Sequence, residues 1–298
     1  DFTSWTSIGW ERWVGNVLVK NPYTGTFDGQ GHTVSGLYFN GTNVEDVGLF
    51  GNVGSGGSVS NVGIVDSYFN GYRLVGGVCG RNYGTITNCY NTGAVSGKSE
   101  YVGGVCGRND GTIKSCYNTG TVTGKDYYVG GVCGDNSGII TNCYNTGTVS
   151  GVSSVGGVCG RMWVGTIANC YNTGAVSASG SNPLVGGVCG YLAGGYIINC
   201  YYDKDECNVK GMTNDNETVD VTGQAEGKTT AQFKSGEVAY LLSQGCTIVE
   251  GENRIVYEGS CWGQKLGEAG DTYPVLKKTG DEGNTVYQYT NCEGNMSY

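Results

Sequence analysis

The chain has 298 residues, a formal net charge of −9, 56 glycines without a G-X-Y period and only 3 prolines. Collagen is excluded by the missing period, and nucleic acid or an anionic membrane is excluded as main partner by the negative charge. No apolar run approaches the ~20 residues of a bilayer span.

The first residue is Asp1, as expected of a processed form or a segment of a longer chain. Fourteen cysteines stand beside one histidine, His32. Neither C-x-x-C nor a Cys/His cluster occurs, so no metal site and no cofactor are expected.

In chain order, Tyr23 to Leu37 forms a Gly-punctuated opening that contains Thr33-Val34-Ser35-Gly36-Leu37. Val47-Gly48-Leu49-Phe50-Gly51 and Ser58-Val59-Ser60-Asn61-Val62 follow. The hexapeptide VGGVCG then begins at Val75, Val102, Val129, Val155 and Val185, in steps of 27, 27, 26 and 30 residues. Each copy is followed by an Asn/Gly turn, a TITNCYNTG-like strand and a short third strand such as Ala94-Val95-Ser96.

Three β-branched runs per ~27 residues, separated by Gly/Asn turns, bury their apolar faces by winding and stacking. The fold predicted is all-β: a right-handed parallel β-helix over 1–203, with a small mixed α/β cap over 204–298. Five regular coils are expected, preceded by degenerate ones. Val47–Gly51 aligns with VGGVCG, which puts Phe50 in the place of Cys79. Both Ser58–Val62 and Thr33–Leu37 align with Thr85–Cys89, which puts Val62 and Leu37 in the place of Cys89.

Two cysteine columns result: 79/106/133/159/189 and 89/116/143/170/200. Their apolar counterparts place both in the core. Two readings stay open, small buried hydrophobes or one disulfide per coil, Cys79 with Cys89 and so on. Cys207, Cys246, Cys261 and Cys292 leave the columns and are the more credible disulfide partners.

Further columns are Asn61/88/142/169/199 with Ser115, and Tyr90/117/144/171/201. Both are read as ladders that support stacking. Arg108, Asp135 and Arg161 share one turn position and form an alternating charge stack. After Tyr202 the charge rises through Asp203-Lys204-Asp205-Glu206, Asp215, Glu217 and Asp220. That run reads as a solvated linker rather than a calcium loop, because EF-hand spacing is missing. Ser235 is the predicted N-cap of a helix over 236–243, closed by Gly245. Ile255-Val256-Tyr257 and Pro274-Val275-Leu276 read as strands.

The unit VGGVCGRNYGTITNCYNTGAVSG resembles the GLUG-motif repeat of bacterial cell-surface and adhesin-like proteins. Tyr23 to Leu37 is similar to the first coil of those β-helices. Phe233, Ser235 to Leu242, Trp262-Gly263-Gln264 and Tyr273 to Leu276 resemble a module that follows such repeats. The resemblance implies architecture and an extracellular or cell-surface location more than an activity. The repeat also occurs beside immunoglobulin A peptidase domains, but their H-E-x-x-H motif is absent here.

Function is expected to be non-catalytic: an adhesion or surface module with carbohydrate or protein partners on a host or neighbouring cell. The alternatives are a self-associating stalk or fibre, joined head to tail through an uncapped solenoid edge, and a polysaccharide-active enzyme. The enzyme would need paired carboxylates on adjacent coils, whereas the repeated exterior is Thr, Ser, Asn and Gly. The irregular corner before each VGGVCG is the candidate binding site, because variable loops on a rigid scaffold carry recognition. It contributes Tyr72, Glu100, Tyr101, Asp126, Tyr127 and Tyr128, with Tyr101 and Tyr128 at one position in successive coils.

Overall fold

The computed structural model describes residues 6–14, 16–214, 217–243, 262–264, 273–276, 288–291 and 294–297. Short parallel strands wind into a solenoid and stack coil on coil into five sheets. In the coil that starts at Val75, the strands are Val75–Gly76, Cys79–Asn82, Thr85–Thr87, Tyr90–Asn91 and Ala94–Gly97. We call the corresponding sheets I to V. They hold 5, 8, 7, 8 and 6 strands respectively.

Register follows the sequence columns. Val75 pairs with Val102, Cys79 with Cys106, Ile86 with Ile113 and Tyr90 with Tyr117. In-register stacking is the solution that buries every apolar column at once. Val78, Val105, Val132, Val158 and Val188, the Ile86 column and both cysteine columns are wholly or almost wholly inaccessible.

Five strands per coil replace the three expected, because VGGVCG bends and the TITNCYN run breaks in two at its first asparagine, Asn88 in the coil of Val75. Its first glycine cannot bear a side chain: a Cβ on Gly130 would lie 2.0 Å from the Cys133 carbonyl oxygen. The second glycine packs on a ladder side chain, with a Cβ on Gly131 falling 2.3 Å from Cγ of Asn145. The chain therefore turns from sheet I to sheet II inside the motif.

The cysteines of both columns stand as free, buried thiols. Cys106 Sγ donates to the Arg108 carbonyl at 3.1 Å, and Cys116 Sγ to the Lys114 carbonyl at 3.2 Å. Burial, with the neighbouring thiols of the column adding to it, pushes the Cys106 and Cys159 thiols well above the ordinary range. Cys207 is also a buried free thiol rather than a bridge, and it donates to Gly174 O at 2.9 Å. Cys246, Cys261 and Cys292 lie outside the described residues, as do Gly245 and Ile255–Tyr257.

Two asparagine ladders lie inside the coil corners and were not singled out from sequence. Asn82, Asn109 and Asn136 are linked side chain to side chain at 2.8 Å. Asn91, Asn118, Asn145 and Asn172 form a second series at the same spacing. All are fully buried, and each amide also bonds the backbone of the glycine two residues on. The column read as a ladder from sequence, Asn61 to Asn199, bonds coil to coil at Asn88–Asn61, 3.1 Å, and Asn199–Asn169, 2.7 Å, and it also occupies the left-handed region, with φ near 50°. It turns the chain from sheet III to sheet IV, a conformation Asn tolerates better than most residues.

The first coil departs from the expected alignment. Thr26–Asp28 pairs with Ser58–Ser60, whereas Thr33–Ser35 pairs with Gly63–Val65 in the tyrosine sheet. Leu37 therefore does not replace Cys89. It packs at the Ser67 level, where its amide donates to Ser67 Oγ. The cause is a two-residue excess at Gln30-Gly31, which slides one S-V-S-like pattern past another. Ahead of this coil, Ile8 bridges to Phe50, an antiparallel hairpin of Trp10–Val14 and Val17–Asn21 leaves the solenoid, and Tyr23 returns to bridge Val53.

Coil-to-coil pairing runs past residue 203. Met212 pairs with Cys189, and Ala225–Lys228 pairs with Cys200–Asp203. The acidic run is therefore no mere linker, although Lys204, Asp205, Glu206, Glu217 and Asp220 are exposed to solvent as expected. Asp203 is fully buried and accepts from Thr230 Oγ1 at 2.7 Å, while Asp220 accepts from the Tyr202 hydroxyl at 2.9 Å. The helix predicted over 236–243 forms as Glu237–Ser243, where the Glu237 amide donates to Ser235 Oγ at 3.4 Å, and a further helix, Thr230–Lys234, precedes it. Thr229 and Gln232 form a capping box for Thr230–Lys234, and Ser235 is its C-cap. Phe233, Val238, Leu242 and Trp262 pack on Tyr171 and Tyr201, so the α/β region lies against the tyrosine ladder.

Candidate functional site

The site forms on the exterior of sheet II, between two corners. One corner precedes sheet I and holds Asp46, Leu74, Tyr101, Tyr128 and Ser154, all at φ between 52° and 69°. A left-handed backbone at bulky tyrosine is costly by about 1 kcal/mol per residue and needs support from its surroundings. The floor is the column Asn52, Arg81, Arg108, Asp135, Arg161 and Tyr191, paired strand to strand. These residues lie within strands, not at a turn as expected.

Tyr101 and Tyr128 stack with ring centroids 5.5 Å apart and 17° between planes. The Arg161 guanidinium sits 3.9 Å from the Tyr128 ring centroid, 5.8 Å from that of Tyr101 and 5.4 Å from that of Trp163. Its Nε–H donates to Asp135 Oδ1 at 2.7 Å, which fixes the guanidinium plane. Asp135 is fully buried, and its second oxygen lies 3.7 Å from Arg108 and accepts no hydrogen bond. Arg108 in turn grips Asp110 with two bonds of 2.9 Å.

Burial raises the Tyr101 hydroxyl above its ordinary range, reinforced by Glu100 and opposed by Arg161. Salt bridging to Asp135 outweighs burial at Arg161 and strengthens its hold on the proton. Arg108, Asp135, Ser137, Arg161 and Trp163 enclose a hollow of about 160 Å³. It offers an aromatic wall, a fixed cation and an unfilled carboxylate acceptor.

Of the six residues expected here, Tyr101 and Tyr128 form the stack and Tyr127 adjoins it, tilted, at 6.1 Å and 45% exposed. Glu100 accompanies the Tyr101 hydroxyl. Asp126 is half-buried, and its carbonyl accepts from Val152 N–H. Tyr72 is exposed and lies at the level of Ser99, whose amide donates to its carbonyl. It joins none of the ring contacts among the described residues. Arg161 and Trp163 were missed as site residues. The available signal was Arg161-Met162-Trp163-Val164 standing where other coils read Arg-Asn-Asp-Gly or Asp-Asn-Ser-Gly, which leaves a tryptophan 59% exposed.

The GLUG motif matches residues 71–96, 98–123 and 126–150. These coils are GLUG-motif repeats. The chain is 38% identical over 77 residues to halomucin of Haloquadratum walsbyi, which is 26% of this chain and 1% of that protein. It is 34% identical over 91 residues to a "Putative Gly-rich membrane protein" of Evansella cellulosilytica, covering 30% and 10%. It thus spans a tenth or less of the curated relatives it matches. The solenoid also superposes on the crystal structure of a putative immunoglobulin A1 protease from Bacteroides ovatus, with a TM-score of 0.53 and 22% identity, covering 84% of this chain and 76% of the other. That likeness is one of fold alone.

Among the described residues, no three or more His, Cys, Asp or Glu are grouped to hold a metal ion. No helix among them is long and apolar enough to cross a membrane.

Proposed function

We propose that this GLUG-repeat solenoid is an extracellular, non-catalytic surface module that adheres through the sheet II face. The observation that carries the reading is the Tyr101–Tyr128 stack held under Arg161 beside the exposed Trp163. Aromatic faces take up the apolar side of a sugar ring or of an extended peptide, and Asp135 accepts a hydroxyl or amide proton. Asp110 and one oxygen of Asp135 are committed to arginines, which suits a binding surface better than acid–base chemistry. The two relatives carry the names of a mucin and of a membrane protein, which supports a place at the cell exterior.

A glycan array and an extended-peptide library, probed with the protein and with Tyr101→Ala/Tyr128→Ala, test the reading. Two rings at about 1 kcal/mol each make the expected loss about thirty-fold for the best ligand. Binding unchanged by the double substitution would place recognition elsewhere on the solenoid.

A second reading rests on the first coil. Thr26–Asp28, Thr33–Ser35 and Tyr38–Asn40 end sheets III, IV and V with most of their residues exposed. Unpaired edges of this kind recruit another strand, so head-to-tail association is the alternative use of the molecule. Sedimentation over a hundred-fold concentration range separates the two: growth into longer species supports the stalk, and a constant monomer removes it.

A further inference from the structure

A cavity of about 570 Å³ lies on the same face, at its first-coil end, between the hairpin and sheet II. That volume is ordinary for a small-ligand pocket, ~300–1,000 Å³. Asp46 lies at its base, at the corner position that carries Tyr101 and Tyr128 two and three coils later. Its side chain is 3% exposed, and Oδ1 accepts no hydrogen bond. Nε of Arg81, 3.9 Å away, also lacks a hydrogen-bond partner. A buried acceptor and a buried donor thus stand side by side, too far apart to satisfy each other.

The charges around the cavity cancel. Lys20 pairs with Glu11 at 3.2 Å, Arg73 with Glu45 at 3.1 Å, and Arg81 stands between Glu11 at 3.6 Å and Asp46. Three cations face three carboxylates, which leaves no net field to select an ion. Trp10, Leu18 and Phe39 supply apolar wall around this polar base.

We propose that this cavity binds a neutral sugar residue, with adjacent hydroxyls bridging Asp46 and Arg81. One hydroxyl donates to Asp46 Oδ1, and the oxygen of its neighbour accepts from Arg81 Nε–H. The C–H face of the ring lies against the apolar wall. A vicinal diol is a neutral group that both donates and accepts at this spacing, and an aliphatic ligand would leave both ions unsatisfied. The site is separate from the Tyr101–Tyr128 ledge and stands without it.

Saturation-transfer NMR on the intact chain tests the assignment, using methyl glycosides of galactose, mannose, fucose and N-acetylglucosamine as probes. Leucine and glutamate serve as zwitterionic and acidic comparators. At least one glycoside is expected to bind, and both Asp46→Ala and Leu18→Trp should weaken it at least about tenfold. Leu18→Trp fills the cavity from the hairpin and leaves Asp46 intact, so the test survives if Asp46→Ala fails to fold. The proposal is overturned if no glycoside binds below about 10 mM, if binding survives Leu18→Trp, or if an amino acid binds in place of the sugars.

Discussion

The regular coils and the two ends of this molecule are stabilised by different means. Between Val75 and Asn172 most buried residues meet their own kind one coil away: valine on valine, asparagine on asparagine at 2.8 Å, with tyrosine on tyrosine at 4.7–5.0 Å outside them. At the ends the neighbours are unlike. Gly63 receives the ring of Tyr90, where any Cβ would collide with it. Tyr202 takes over from the Asn172 column, and Cys207 closes the asparagine ladder by accepting from Asn172 Nδ2 at 3.1 Å. A ladder repeats one solved packing problem, whereas each end solves a new one. The consequence is cooperative failure in the middle and local failure at the ends.

The largest expected effect comes from breaking a ladder core. Val132→Asp places an unpaired charge where exposure is zero, and should cost several kcal/mol and melt the whole solenoid. Phe233→Ala, at a comparable ~3–5 kcal/mol, should instead release only the α/β region from Tyr171 and Tyr201. Circular dichroism with limited proteolysis distinguishes them: loss of β signal in the first, a trimmed but intact solenoid in the second. Global unfolding by both would erase the contrast between middle and end.

Asn118→Ala is the next largest. It removes the bond to Asn145, the bond from Asn91 and the contact to Gly120, all in a buried column, at about 2–3 kcal/mol. Denaturant unfolding measures it. A cost below about 0.5 kcal/mol would show that the ladder spaces the coils without stabilising them.

An effect of similar size at high pH, and none in acid, belongs to the first-coil end. Burial lifts the Asp46 carboxyl to about 6, against the pull of Arg81. The unfolded group titrates near 3.9, so between these values the folded state holds the extra proton. Stability from this site is therefore highest in acid and falls as pH rises through about 6. Asp46→Asn should stabilise the protein by about 2–3 kcal/mol at pH 8, with the gain vanishing near pH 4. Melting curves of both proteins across that range decide it, and a gain independent of pH would assign the effect to packing.

The solenoid, its register and its buried columns were legible because stacking brings like residues together, so that a period in the chain becomes a column in space. The first coil was misaligned because S-V-S and T-V-S fit two sheets equally well, and only backbone pairing tells them apart. Thr229-Thr230-Ala231-Gln232 carried a readable capping signal for the helix that went unseen. The pairing within the acidic run was missed because charge alone does not reveal that Asp203 and Asp220 already hold Thr230 and Tyr202.

The recognition face divides in the same way. Sequence by itself determined that Tyr101 and Tyr128 share a column and stand one coil apart, since that depends only on the period. Tertiary structure decided that Arg161, from a later coil and a different sheet, reaches back over both rings with Trp163 beside it. It also decided that Asp46 and Arg81 meet beneath a hairpin. Such contacts depend on the angle at each corner and on the offset between neighbouring sheets. Left-handed residues and β-arc geometry set these quantities, and periodicity does not encode them.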